Sequence, residues 1–155
     1  MINNDVLRSV RYMLDISDAR IVDIIKLADY DVQKTDIIAY LKKDDEAGYL
    51  DCSDAVLAHF LDGLIFSRRG KDESRPVQPV ETQVTNNLVL KKLRVAFELK
   101  EVDMHAILQA AGMPVSKPEL SALFRKPGQS NYRKCGDQLL RNFLKGLTQR
   151  LRGGA

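Results

Sequence analysis

The side chains here best suited to nucleophilic or metal chemistry are two thiols and two imidazoles: Cys52, Cys135, His59 and His105. Each cysteine stands just ahead of a stretch with helical apolar spacing. A thiol at a helix N-terminus can ionise more easily and react, so a thiol-based sensor is one reading. A buried, inert thiol is the plainer one. The four groups fall at none of the spacings of a tetrahedral zinc site, and no metal is expected. Asp54 and Asp137 follow the thiols by two residues, where a carboxylate in a first helical turn meets the positive end of the dipole and needs no catalytic explanation. The sequence carries no glycine-rich phosphate loop and no nucleophile elbow. The expectation is a non-enzymatic protein with no catalytic residues, no cofactor and no small-molecule substrate.

Lysine and arginine offer more. Arg125 and Lys126 precede a loop, Tyr132, Arg133 and Lys134 close it, and Arg141 and Lys145 share one face of the helix expected next. Phosphate contacts need cations more than any fixed spacing, and one aromatic adds a surface for stacking. These seven residues are the candidate contacts for nucleic acid or a ribonucleoprotein. Alternatively they form a solvated helix face, or a surface paired with acidic groups elsewhere in the chain. Residues 102–126 also have a helix-turn-helix flavour, with Lys117, Glu119, Ser121, Arg125 and Lys126 on the second helix. Pro114 makes that turn long, and the cations fall late in the helix.

The elements that must position these groups occur twice. Shifted by 83 residues, positions 3–70 lie on 86–153 without a gap, and 21 of the 68 pairs are identical. Asn3-Asn4 falls on Asn86-Asn87. Tyr49, Cys52, Asp54, Leu57, Phe60, Leu61, Gly63 and Leu64 fall on Tyr132, Cys135, Asp137, Leu140, Phe143, Leu144, Gly146 and Leu147. This is a tandem duplication. The domains read as copy one at 1–70, a linker at 71–85 with Pro76 and Pro79, and copy two at 86–155. Copies of this size are marginal alone, so a shared core and pseudo-twofold packing, as in an intramolecular dimer, are expected.

Each copy reads as four helices, giving an all-α protein of about eight. Asn3 or Asn4 is the expected cap of the first helix and Ser17 of the second. Ile37, Ile38 and Leu41 mark a short third helix. Val56, Leu57, Phe60, Leu61, Leu64 and Ile65 mark the fourth. Gly112 suits a left-handed helix end, and Ser116 with Glu119 has capping-box spacing. In the last helix Leu139, Leu140, Phe143, Leu144, Leu147 and Leu151 form one apolar arc, opposite Arg141, Lys145 and Arg152. Gly63 and Gly146 recur inside the fourth helices, either because another backbone comes close or by inheritance alone.

The chain has 155 residues, 45% hydrophobic and 29% charged, which excludes a disordered chain, a collagen-like chain or a disulfide scaffold. Its net charge of +3 conceals a balance of −4 over residues 3–70 and +8 over 86–153. No apolar run is long enough for a membrane span, no secretory leader is visible, and two cysteines suit a reducing cytoplasm. A basic copy suits an anionic partner; a groove between the copies, or the acidic copy, suits a protein partner. The Asn-Asn-x-Val-Leu start of each copy, Ser116 through Lys126, and Asn131 through Gln138 resemble the YehS-like bacterial family, a tandem repeat of a domain of unknown function. The resemblance implies a bacterial cytoplasmic protein and brings no catalytic or ligand residues.

Overall fold

A computed structural model describes residues 1–74 and 79–153; residues 75–78 of the linker, Pro76 among them, and 154–155 lie outside the described residues. Those described form eight helices and no strand: α1 (Asn3–Leu14), α2 (Asp18–Leu27), α3 (Lys34–Leu41), α4 (Asp54–Arg69), α5 (Asn86–Ala96), α6 (Glu101–Ala110), α7 (Lys117–Leu123) and α8 (Asp137–Arg152). The chain divides into two compact units, Met1–Val84 and Thr85–Ala155.

In unit 1, α2 packs along α4, and α1 and α3 close the bundle. Val6, Leu7 and Val10 of α1, Ile21, Ile24 and Ile25 of α2, and Leu57, Phe60 and Leu64 of α4 are all buried in the core. Unit 2 repeats this with Leu90 and Leu93, Met104, Ile107 and Leu108, and Leu140, Phe143 and Leu147. Burying such aliphatic side chains at about 1.5–3 kcal/mol each is what sustains helices this short. Two expected core positions are more open: Ile38 is 40% exposed on α3 and Leu151 is 39% exposed near the end of α8. Leu151 sits in the last turn of its helix.

The fourth helices explain their glycines. A Cβ on Gly63 would stand 1.9 Å from the Ile24 carbonyl oxygen, and one on Gly146 would stand 2.5 Å from that of Ile107. Both are closer than any carbon can approach, so α4 and α8 seat directly on the backbones of α2 and α6. Gly112, with φ of 79°, follows α6, and its counterpart after α2 is Asp29, with φ of 61°.

Ser17 caps α2 through the Arg20 N–H at 3.1 Å. Ser116 and Glu119 form the expected reciprocal box on α7. The first helices are different. The residue ahead of α1 is Ile2, whose backbone N–H is held by Asp5, and α5 is capped by the Thr85 hydroxyl. Asn3 and Asn4 are the first helical residues, not caps, and their side chains reach across to the segment before α4. The Asn4 carboxamide donates to the carbonyls of Tyr40 and Leu50 and accepts from the Cys52 N–H. Asn87 makes the same three bonds to Leu123, Arg133 and Cys135. Asn3 and Asn86 each add bonds to the cysteine carbonyl and to Asp54 or Asp137. This brace is why the Asn-Asn pair recurs.

Candidate nucleic-acid interface

The segment between α3 and α4 and that between α7 and α8 follow one backbone pattern. Leu50 N–H donates to the Ala39 carbonyl as Arg133 does to that of Ala122, and Tyr49 donates to Glu46 as Tyr132 does to Gln129. Each loop is closed by a side chain on a backbone N–H: Glu46 on Lys43 at 2.9 Å, Gln129 on Lys126 at 2.7 Å. The frame is the same and the charge is reversed. Loop 42–51 carries Lys42 and Lys43 against Asp44, Asp45, Glu46 and Asp51; loop 125–134 carries Arg125, Lys126, Arg133 and Lys134 and no carboxylate. Gln129 closes its loop as a neutral amide where copy one uses an acid.

The seven candidate residues fall into two groups. Arg125, Lys126, Arg133 and Lys134 are exposed on the loop and Tyr132 is half-buried among them. Arg141 and Lys145 are exposed one turn apart on α8, which the loop enters directly. Their counterparts on α4 are Ala58, which is buried, and Asp62. Two other cations of unit 2 are engaged: Arg150 pairs with Asp103 at 2.6 Å, and Arg94 lies 4.6 Å over the Phe124 ring.

Three residues that the sequence reading left out of this surface shape it. Asn87 ties down the Arg133 carbonyl at 2.9 Å. Gln129 closes the loop. Glu119 pairs with Arg133 and, held by the Ser116 N–H and hydroxyl and then by Arg133, lies below the usual carboxylate range. The repeated Asn pair and the Glu46-to-Gln129 exchange were signals for the first two; nothing local marked the Glu119–Arg133 pair, fourteen residues apart.

The segment 102–126, read as helix-turn-helix in flavour, places its cations differently from that expectation. The helix α7 ends at Leu123, so Arg125 and Lys126 belong to the loop and not to a recognition helix. Six residues, 111–116, separate α6 from α7. Of α7's seven residues Leu120, Ala122 and Leu123 are buried.

Neither thiol meets the needs of a sensor. Cys52 is 5% exposed and Cys135 is 0% exposed, and both are free. Burial pushes Cys52 up to about 12, and burial, with partial relief from Arg133, pushes Cys135 to about 11. The histidines are not isolated either. His59 stacks on Tyr30 with ring centroids 4.2 Å apart, and His105 lies 3.7 Å from Glu101. Among the described residues no cluster of three metal-ligating side chains occurs. A small cleft in unit 1, about 180 Å³, is lined by Arg11, Asp18, Ile38, Leu41, Lys42 and Glu46. Its charges are occupied: Arg11 faces Asp18 at 3.5 Å, and Lys42 donates to the Ala47 carbonyl. Among the described residues no helix is long and apolar enough to cross a membrane.

Two tandem copies of one helical unit, braced by paired asparagines, define the class of this protein. The chain belongs to the family described as protein of unknown function (DUF1456), whose model matches residues 3–70 and again 86–153. It is 48% identical over 150 residues to the uncharacterized protein YehS of Escherichia coli (strain K12), covering 97% of this chain and 96% of that relative. No solved structure matches it.

Proposed function

We propose that the protein is a non-enzymatic binding protein of the bacterial cytoplasm that holds nucleic acid through the loop 125–134 and the outer face of α8. One observation carries this reading: a duplicated loop with an unchanged hydrogen-bond frame has exchanged its carboxylates for neutral or basic residues. Four cations on the loop and two on α8 supply a local positive field; the loop itself has no carboxylate, and Glu119 of α7 pairs with Arg133. Such a surface neutralises phosphates without reading base sequence. The free thiols suit a reducing compartment.

Fluorescence anisotropy with labelled oligonucleotides at low and moderate salt tests the proposal. Binding that weakens steeply with salt, and is lost in Arg141→Glu with Lys145→Glu, supports it; no binding at low salt overturns it.

A second reading concerns unit 1. Leu50 is 49% exposed beside Asp51 and close in sequence to Asp44, Asp45 and Glu46. An apolar side chain within an acidic loop suits a basic protein surface. Loss of a protein partner on Leu50→Ser, with oligonucleotide binding unchanged, distinguishes the two.

A further inference from the structure

The basic loop presents its aromatic residue in a setting that copy one makes legible. In copy one the Tyr49 hydroxyl donates to Asp51 at 2.7 Å. Side chains two residues apart in this segment therefore meet on one side of the backbone. That hydrogen bond and the nearby negative charge hold the phenol of Tyr49 in its protonated form, up to about 12. In copy two the same positions carry Tyr132 and Lys134, on the same frame of backbone bonds. Lys134 has no acceptor to hold a hydroxyl, so the carboxylate that fixes Tyr49 has no counterpart two residues after Tyr132.

The helix α7 before this loop is ill-suited to a duplex groove, whereas α8 after it keeps an exposed face bearing Arg141 and Lys145. Reading the major groove takes an exposed helix face or a two-stranded ribbon with several side chains aimed at base edges. The helix α7 has seven residues, Pro118 in its first turn, and Glu119 on its exposed side engaged with Ser116 and Arg133. The residues after it, from Pro127 to Gly136, form turns and irregular backbone. Irregular backbone carrying a ring between cations is what single strands use: bases stack on the ring while the cations follow the phosphates.

We propose that the basic loop is a single-strand site, in which Tyr132 stacks on an unpaired base and Lys134, with Arg133 and Arg125, contacts the flanking phosphates. This rests on the nucleic-acid reading above and names the class of nucleic acid. RNA and single-stranded DNA share the chemistry.

The test uses the full-length protein and three labelled probes: a 15-nucleotide oligo(dT), a 15-nucleotide oligo(rU), and a hairpin duplex of mixed sequence with as many phosphates. The expected result is that one or both single strands bind at least fivefold more tightly than the hairpin at equal salt. Tyr132→Leu then weakens single-strand binding about tenfold and leaves hairpin binding unchanged, whereas Tyr132→Phe, which keeps the ring, binds as the wild type does. Lys134→Asp, which restores the copy-one residue, also weakens single-strand binding. Should Tyr132→Leu fail to fold, as judged by circular dichroism, the preference of the wild-type protein for single strands over the hairpin still decides. Equal affinity for hairpin and single strands, indifferent to Tyr132, overturns this inference and leaves the nucleic-acid reading standing. No binding of any probe overturns both. The oligo(dT) and oligo(rU) arms separate a DNA ligand from an RNA ligand.

Discussion

The side-chain amide of Asn87 donates to the backbone carbonyl of Arg133 at 2.9 Å, joining the start of α5 to the end of the basic loop. The same carboxamide accepts from the Cys135 N–H, also at 2.9 Å. One polar side chain thus decides where the chain places two cations and the entrance to α8. Copy one uses Asn4 in the same way, and there the residue is 1% exposed. The brace is a property of the fold that the proposed site inherits.

Removing the brace should cost stability, more at Asn4 than at Asn87. Each residue makes three hydrogen bonds, and truncation strands two carbonyls and one N–H. Asn4→Ala should destabilise by about 2–4 kcal/mol, because water cannot easily reach the stranded groups. Asn87, less buried, should lose roughly half of that. Urea unfolding followed by circular dichroism measures both.

Alanine at the helical glycines should also destabilise, although helix propensity alone favours it by about 1 kcal/mol. The Cβ of Gly63→Ala would meet the Ile24 carbonyl oxygen at 1.9 Å, and that of Gly146→Ala would meet Ile107 at 2.5 Å. Separating the helix pairs should outweigh the propensity gain by about 1–3 kcal/mol, with the larger loss at Gly63. Equal or improved stability in Gly63→Ala would refute the close seating.

The thiols should be silent in the folded protein. With Cys52 up to about 12 and Cys135 at about 11, thiolate at pH 8 amounts to on the order of one molecule in ten thousand and one in a thousand. A thiol reagent should label both only after denaturant is added. The pH dependence has a definite sign. Below pH 9 both states keep the thiols protonated; from 9 toward 12 the unfolded chain ionises first, so stability falls as pH rises.

Glu119 should restrain the loop it touches. Its carboxylate is held below the usual range by Ser116 and by Arg133, so its contribution to stability is present at neutral pH and fades as pH falls through that lowered value. Glu119→Gln keeps the capping geometry and removes the charge facing Arg133. Oligonucleotide affinity should rise roughly two- to fivefold, with a slightly lower melting temperature. Unchanged or weaker binding would place Arg133 outside the interface.

The duplication was legible in the sequence because 21 identities survive a single ungapped shift. The helices followed from apolar spacing, and Ser17, Gly112, Ser116 and Glu119 did locally what their types suggest. The misread residues act over distance. Asn3 and Asn4 have the chemistry of caps, but their partners lie 36 to 51 residues away, so neighbouring sequence says nothing of the brace. The second role of Glu119 was hidden for the same reason. Ile38 and Leu151 fit an apolar period, yet periodicity does not tell whether a neighbour covers the last stretch of a face. The candidate cations were readable by type; that Arg125 and Lys126 fall beyond α7 depended on where the helix stops.

The salt dependence of oligonucleotide affinity, compared between the wild type and a double variant, tests the central claim most directly. The variant carries Arg133→Leu and Lys134→Asp, the residues that copy one has on the same frame. The account predicts that log Kd varies steeply with log salt in the wild type. In the variant, affinity should fall at least tenfold and the slope should shrink by about 1.4 to 1.8, as expected for two lost phosphate contacts. An unchanged slope and affinity would contradict it, because the reversal of charge on this loop would then have no bearing on what the protein binds.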